Sequence, residues 1–213
     1  MPQTSLFDAT EGGEHIVLKD ASLSYFAAFY TPAIADELFH CLKTDTPWRH
    51  EQVQIAGLQR LQPRLSAWYG DADAAYTYSG LHLHPLSWSG TLLRVKREIE
   101  LRNPFLLPLR FNSVFLNYYR DQQDSMGWHS DDEPELGPQP VIASLSLGCN
   151  RVFALKHKHH KSLQYKIPLA HGSLLIMAGD AQRHWLHAIA KEDEVCQPRI
   201  NLTFRTIFPS PTA

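Results

Sequence analysis

The chain has 213 residues, of which 44% are apolar and 20% charged, and its formal net charge is −2. These proportions are typical of a single soluble globular domain, and the charge argues against a polycation that binds nucleic acid over its whole surface. No apolar run approaches the roughly 20 residues that cross a bilayer, and no signal peptide is recognisable, so we expect no membrane partner. Three widely spaced cysteines favour reduced thiols, in the cytoplasm or, in a eukaryote, the nucleus.

Residues 1–20 are polar and aperiodic, which predicts a loose N-terminal segment. Within it, Gln3, Leu6 and Phe7 resemble the short peptide by which bacterial replication and repair proteins dock onto the sliding clamp. Packing of the Leu-Phe pair against the domain is the alternative. A peptide of residues 1–12 that failed to bind the clamp would exclude the first interpretation.

Two helices and a series of strands follow. Thr31 and Pro32 start a helix predicted over 32–43, and Trp88, Leu92, Val95 and Ile99 recur at helical spacing. Short strands are predicted at 52–55, 74–79, 113–119, 141–147, 152–156, 163–167, 173–177 and 199–207. This order predicts an α+β, mainly β fold: a double-stranded β-helix, or jelly roll, with N-terminal helices buttressing one sheet. We expect an N-terminal extension over 21–110 and a core over 111–208, with 21–208 forming one structural domain.

His129 and Asp131 are two residues apart, so extended backbone directs both side chains to one face. An imidazole and a carboxylate on one face are two members of the 2-His-1-carboxylate triad that holds Fe(II). His-x-Asp alone is also common in surface loops. The third ligand has to come from elsewhere, and His171, His184 and His187 are the downstream rivals.

The segment from Arg199 to Arg205 alternates between a polar and an apolar face. This pattern predicts a strand whose apolar face packs on the core and whose other face carries two arginines. Buried arginines are costly unless they meet carboxylates. A dicarboxylate ligand would satisfy both.

With these motifs, the sequence resembles the AlkB family of Fe(II)- and 2-oxoglutarate-dependent nucleic-acid demethylases, and it looks closest to the DNA-repair branch. The resemblance covers roughly residues 53–208. It is densest in five segments: Phe111 to Tyr119, Trp128 to Pro134, Ala143 to Gly148, His171 to Met177, and Pro198 to Phe208.

The resemblance implies a ligand set and a cofactor site. Fe(II) would be held by His129, Asp131 and His187, while His171 would orient backbone. For 2-oxoglutarate, Arg199 and Tyr119 would bind the distal carboxylate and Arg205 and Asn117 the carboxylate on the metal side, supported by Asn201 and Thr203. Without the arginines, Asn117 and Tyr119 would read as an ordinary core hydrogen-bond network.

The resemblance also implies a pocket for a base that is flipped out of its stack. Tyr78 would stack on the base opposite His129, and Tyr76, Ser79 and Trp68 would line the pocket. Asp132 and Glu133 would accept hydrogen bonds from an exocyclic amino group. The alternatives are an ordinary aromatic strand and a solvated acidic turn.

Two further features bear on the nucleic-acid strand. Duplex-active relatives carry an aromatic wedge where this chain has the smaller Ile55 and Ala56, which favours single strands. A basic hairpin could hold phosphates, with Arg151, Lys156, Lys158 and Lys161 as contacts. A solvated charged loop is its alternative.

The sequence thus predicts a monomeric dioxygenase that uses Fe(II), 2-oxoglutarate and O2 to remove methyl groups from N1-methyladenine and N3-methylcytosine in DNA. Two other classes stay open. One is an oxygenase of the same fold that acts on RNA or protein, and the other is a catalytically silent jelly-roll module that binds nucleic acid. Succinate formation would separate an enzyme from such a module.

Overall fold

The computed structural model describes residues 13–55, 58–74, 76–78, 81–83, 85–102 and 109–208. The clamp-peptide residues Gln3, Leu6 and Phe7 therefore lie outside the described residues, as do Ala56 and Ser79. Within the described part, none of the helices is long and apolar enough to cross a membrane.

The described elements are three α-helices, one 3-10 helix at Pro134–Leu136 and fifteen strands. The helices are α1 (Pro32–Asp45), α2 (Gly90–Leu101) and the single turn α3 (Ala181–His184). The strands are β1 (Glu14–Leu18), β2 (Ala21–Phe26), β3 (Gln52–Ile55), β4 (Leu58–Leu61), β5 (Leu65–Gly70), β6 (Tyr76–Tyr78), β7 (Leu81–Leu83), β8 (Ser113–Tyr119), β9 (Met126–His129), β10 (Ile142–Gly148), β11 (Arg151–His157), β12 (Gln164–Leu169), β13 (Ser173–Ala178), β14 (Trp185–Ile189) and β15 (Arg199–Arg205).

Two antiparallel sheets form the jelly roll. The major sheet has the order β1-β2-β13-β10-β15-β8-β5, and the minor sheet has the order β12-β11-β14-β9. The hairpins β3-β4 and β6-β7 stand apart as two-stranded sheets. The prediction of a mainly β jelly roll is confirmed.

The alternation of β15 divides the interior into two layers. Its apolar residues Ile200, Leu202 and Phe204 join a cluster with the buried faces of α1 and α2. A second apolar cluster fills the space between the two sheets and includes Leu155 and Trp185 of the minor sheet. The helices therefore buttress the outer face of the major sheet, as predicted, and the polar face of β15 is left for the space between the sheets.

Both long helices start close to the predicted positions, but the hydroxyl of Thr31 makes no capping hydrogen bond. Pro32 occupies the first turn of α1 after Thr31, and the hydroxyl of Ser89 accepts a hydrogen bond from the backbone N–H of Leu92 in α2. α1 ends at Asp45, two residues beyond the predicted end.

The prediction that residues 1–20 form a loose segment is wrong for 14–18. These residues form β1, which pairs along its whole length with β2 at the edge of the major sheet. Lys19 and Asp20 form the turn of this β1-β2 hairpin, and Asp20 adopts a positive φ of 60°. β2 in turn pairs with β13, and this pairing joins the hairpin to the major sheet.

Candidate active site

Pairing of two minor-sheet strands assembles the metal-ligand candidates. β9 pairs with β14 so that His129 lies opposite His187, and Asp131 follows two residues after His129. The Nε2 atoms of the two histidines are 3.1 Å apart, and Asp131 Oδ1 is 3.9 Å from His129 Nε2. Two bonds of about 2.1 Å at a right angle require a separation of about 3 Å between ligand atoms. The three side chains therefore fit around a single ion.

The protonation state of His129 suits a ligand. Its Nδ1 lies 2.9 Å from the carbonyl oxygen of Gly127. Because a carbonyl only accepts hydrogen bonds, Nδ1 carries the proton and Nε2 keeps the lone pair that a metal needs. Burial lowers the pKa of His187 to about 3, with the neighbouring His129 adding to the effect. Both imidazoles are therefore uncharged at neutral pH and can each offer a nitrogen lone pair to a metal ion.

The carboxylate of Asp131 is buried and held from two sides. Arg205 donates to Asp131 Oδ1 at 2.8 Å, and the backbone N–H of Asp131 donates to the side-chain oxygen of Gln182 at 3.0 Å. Burial alone would raise the pKa of Asp131, but the charge and hydrogen bond of Arg205, together with the two neighbouring histidines, outweigh it and hold the pKa below its ordinary value. The carboxylate is ionised and has a fixed orientation.

Arg199 offers an anion site on the inner face of the major sheet. The residue is 1% exposed, and its guanidinium carbon lies 5.1 Å from the centre of the Tyr119 ring. One Nη donates to the Ser146 hydroxyl at 2.9 Å, while Nε and the other Nη have no hydrogen-bond partner among the described residues. A buried cation with open donors is costly until a carboxylate meets it. The donor set therefore fits a carboxylate ligand such as 2-oxoglutarate.

The other predicted 2-oxoglutarate residues lie along the same wall. Asn201 donates to the Ser144 hydroxyl at 2.8 Å, and Thr203 donates to the side-chain oxygen of Asn201 at 3.0 Å. Their role in supporting 2-oxoglutarate stays a prediction. β15 and β8 pair in register, with Arg199 opposite Tyr119 and Asn201 opposite Asn117.

Sequence reasoning missed Arg64. Its Nε donates to Asn117 at 2.6 Å, and the residue is 5% exposed. It precedes β5, whose Ser66 lies opposite Asn117. No local pattern marks Arg64 as a site residue, because only the pairing of β5 with β8 brings it to Asn117.

One cavity of about 800 Å³ joins these parts. Such a volume is within the range of ligand pockets in proteins. Its walls include the three metal-ligand candidates, the six predicted 2-oxoglutarate residues, Trp68 and Glu133. A cofactor and a further substrate can therefore share one cavity.

The predicted base pocket is described in part. Trp68 lies in the cavity wall, with its indole N–H donated to the Ser113 hydroxyl at 2.7 Å. Tyr76 and Tyr78 form β6, but their side chains lie outside the described part of the chain.

The two acidic residues after Asp131 lie in different surroundings. Glu133 lines the cavity, and its Oε2 is buried without a hydrogen-bond partner among the described residues. Asp132 is half-exposed outside the cavity and accepts from Lys158 Nζ at 2.9 Å. The prediction that Asp132 contacts the base is therefore not supported, since its carboxylate already holds Lys158.

Of the basic residues predicted to contact phosphates, Arg151 has to be corrected. Its side chain is fully buried, with Nε 3.1 Å from Glu192 and further donors on the backbone carbonyls of Asp124 and Ala190. It holds two loops together and cannot reach a phosphate. Lys161 is exposed, and Lys156 is half-buried.

Asp20, His157 and His184 form a second group of potential ligands, in which His157 is the last residue of β11. Here His157 Nδ1 accepts from the backbone N–H groups of His159 and His160, at 3.1 and 3.2 Å. Nε2 must then carry the proton, and it donates to Asp20 Oδ2 at 3.2 Å. No lone pair of His157 faces this group. The three residues are therefore a hydrogen-bonded structural cluster and not a metal site. His171 is likewise structural, because its Nδ1 accepts from the backbone N–H of Gly148 at 2.7 Å.

A jelly roll whose inner space holds two neutral imidazoles and one carboxylate belongs to the class of mononuclear non-haem iron oxygenases. The comparisons with known proteins agree. Residues 22–205 match the family model of the 2OG-Fe(II) oxygenase superfamily.

Several relatives are similar over most of the chain. The alpha-ketoglutarate-dependent dioxygenase alkB homolog 3 of Bos taurus is 43% identical over 83% of this chain, which spans 63% of that protein. The Homo sapiens homolog 3 is 39% identical over 99% of this chain and 75% of its own length. The DNA oxidative demethylase ALKBH2 of Homo sapiens is 37% identical over 91% of this chain and 76% of its own.

The structure of OsALKBH1 shows the same fold, with a TM-score of 0.55 and 16% identity over 91% of this chain and 100% of that one. The chain therefore belongs to the 2OG-Fe(II) oxygenase superfamily, among its AlkB homologues. It is a 2-oxoglutarate-dependent dioxygenase whose cofactors are Fe(II) and 2-oxoglutarate, with O2 as co-substrate.

Proposed function

We propose that this dioxygenase repairs alkylated DNA by removing N-linked methyl groups from N1-methyladenine and N3-methylcytosine. The observation that carries the proposal is the shared cavity, in which the metal-ligand candidates and the Arg199 wall adjoin a region lined by Trp68 and Glu133. The relatives named as DNA oxidative demethylases support the same substrate class.

The residues of the chain divide the work. His129, Asp131 and His187 would hold Fe(II), while Arg199 and Arg205 would orient 2-oxoglutarate by its two carboxylates. When bound, the metal and its co-substrate supply the oxidising power that hydroxylates an N-methyl group, which then leaves as formaldehyde.

The carboxylate of Glu133, which lines the cavity, would accept a hydrogen bond from an exocyclic amino group. Burial raises the pKa of Glu133, and the neighbouring Asp131 adds to this. A methylated base such as N1-methyladenine is positively charged, so it would favour an acidic and aromatic wall. The cavity would hold the methyl group in position beside the metal-ligand candidates.

Single-stranded DNA is the preferred substrate in this proposal. Ile55 ends β3 in the β3-β4 hairpin, and the aromatic wedge of duplex-active relatives is absent from the sequence there. Lys156 and Lys161 remain proposed phosphate contacts, whereas the ammonium of Lys158 is already bound by Asp132 and by the backbone carbonyl of Gln182. Three further proposals remain. The chain would dock onto a sliding clamp through Gln3, Leu6 and Phe7, act as a monomer, and work in the cytoplasm or nucleus.

Mass spectrometry of an N1-methyladenine oligonucleotide tests the function. The oligonucleotide would be incubated with enzyme, Fe(II), 2-oxoglutarate and ascorbate, once as a single strand and once annealed, with an RNA version alongside. We expect loss of one methyl group, faster from the single strand. His129→Ala is the matched inactive control.

Two results would contradict the proposal in different ways. Succinate release with all oligonucleotides unchanged would keep the dioxygenase and reject nucleic acid as its substrate. Demethylation of the RNA version alone would reject DNA.

A further inference from the structure

Trp128 is an unusually exposed aromatic side chain beside the active site. It is 46% exposed, although tryptophan is usually well buried. It lies in β9, the edge strand of the minor sheet, and immediately precedes His129. Because adjacent side chains of a strand point to opposite faces, Trp128 lies on the outer face when His129 faces the cavity.

A lysine from β11, two strands away in the sheet, lies over one face of the ring. Lys156 Nζ lies 4.2 Å from the centre of the Trp128 ring, which is close enough for a cation–π interaction. Lys156 belongs to β11 and lies opposite Leu186 of the intervening β14. Its side chain therefore reaches across the outer face of the sheet and places a positive charge beside the indole.

The outer face has the charge that an anionic strand would need. The four strands of the minor sheet contain no aspartate or glutamate. Lys156 and the exposed Lys166 lie on the outer face, and the exposed Lys161 follows in the connection between β11 and β12. In a chain of net charge −2 this is a local positive patch with one exposed aromatic side chain.

We propose that Trp128 and Lys156 form a nucleotide platform: a base that flanks the methylated one stacks on the Trp128 indole, while Lys156 contacts its phosphate. The platform rests on the proposed function, since it assumes a single-stranded nucleic acid as substrate. Stacking on an aromatic ring tolerates any base and, by alanine substitution, is worth about 1–3 kcal/mol per base. The platform would hold the strand so that the next base can enter the cavity.

Binding of a fluorescently labelled, unmethylated oligothymidine to the full chain tests the platform by anisotropy. We expect Trp128→Ala to weaken binding on the order of tenfold and Trp128→Phe, which keeps an aromatic face, to stay within about threefold of the wild type. Val152→Ala is the matched control, because Val152 is an exposed apolar residue of the same sheet at 43% exposure. It should bind as the wild type does.

Two further measurements distinguish a direct contact with the nucleic acid from a purely structural role of these side chains. Lys156→Gln should lower the slope of log affinity against log salt by about one unit. Trp128→Ala should raise KM for the methylated oligonucleotide while kcat and the KM for 2-oxoglutarate stay unchanged.

Equal affinities for Trp128→Ala and Val152→Ala would overturn the platform, and so would an equal loss with Trp128→Phe. Self-association of the wild type that Trp128→Ala abolishes would instead assign the face to contact between copies of the chain. A wild type that neither binds oligothymidine nor demethylates would reject the proposed function itself. Demethylation that Trp128→Ala leaves unaffected would reject only the platform.

Discussion

At the residue scale, the proton on a histidine ring separates the metal site from its neighbour. His129 donates from Nδ1 to a carbonyl, whereas His157 accepts at Nδ1 from two backbone N–H groups. Only the first arrangement leaves Nε2 free for a metal. Geometric proximity of histidine and aspartate is therefore a weaker criterion than the hydrogen bonds behind them.

This difference predicts the outcome of two histidine substitutions. His187→Ala should abolish binding of one equivalent of Co(II), together with turnover, because it removes a buried ligand. His184→Ala, in the second group, should keep both. Equilibrium dialysis followed by metal analysis measures the stoichiometry, and loss of the bound ion in His184→Ala would contradict the assignment.

The open donors of Arg199 lead to a second prediction. Arg199→Ala removes charge-assisted hydrogen bonds, each worth about 1.5–3 kcal/mol, so KM for 2-oxoglutarate should rise by about 10- to 100-fold. Succinate formation as a function of 2-oxoglutarate concentration gives this value. Arg110→Ala is the control, since the Arg110 side chain is 79% exposed. An unchanged KM in Arg199→Ala would remove this residue from the cofactor site.

At the element scale, an ion pair in the loop before β9 supports the strand that carries His129. Asp124 is buried and accepts from both the guanidinium and the backbone N–H of Arg120. Burial alone would raise the pKa of Asp124, but the hydrogen bonds and charge of Arg120 outweigh it and lower the pKa. A carboxyl whose pKa is lowered by folding stabilises the folded state above its unfolded pKa, and this stabilisation is lost as the pH falls through the folded pKa.

Asp124→Asn should therefore reduce the free energy of unfolding by about 1–2 kcal/mol at pH 7. The difference from the wild type should stay constant down to about pH 5 and shrink below about pH 4. Urea unfolding at several pH values measures it. A difference that grew on acidification would show that Asp124 does not contribute as a carboxylate.

The β3-β4 hairpin carries the prediction about strand preference. Ile55→Phe would restore a larger wedge in the gap that a flipped base leaves, so duplex demethylation should increase relative to single strands. The two rates on one methylated oligonucleotide, free and annealed, give the ratio. An unchanged ratio would discard the wedge as the cause of any single-strand preference.

At the scale of the whole molecule, both cofactors should stabilise the fold, because their site lies between the two sheets. Ligands at about 100 times their dissociation constant add about 2.7 kcal/mol. For a chain of this length that raises Tm by about 5–10 °C. Differential scanning fluorimetry with Mn(II) and 2-oxoglutarate, before and after EDTA, should show this shift. A shift of equal size in His129→Ala would place the binding elsewhere.

Much of this arrangement is visible in the sequence because it rests on local periodicity. The alternation from Arg199 to Arg205 predicts both the strand and its two faces, and the pattern from Ser113 to Tyr119 does the same for β8. The short strand β9, which pairs with the distant β14, carries too weak a local pattern. Arg64 could not be predicted as a site residue for the same reason, since strand pairing alone brings it to Asn117.

By itself, the sequence determined the jelly-roll class, the His-x-Asp pair and the arginine-bearing strand, since each depends on neighbours in the chain. The accessibility of single side chains came from the tertiary structure alone, which buries Arg151 and exposes Trp128 beside Lys156. It alone also decided that Glu133 lines the cavity while Asp132 pairs with Lys158. The physical reason is that burial, ion pairing and the histidine tautomer are set by groups that are distant in sequence and meet only when the two sheets close.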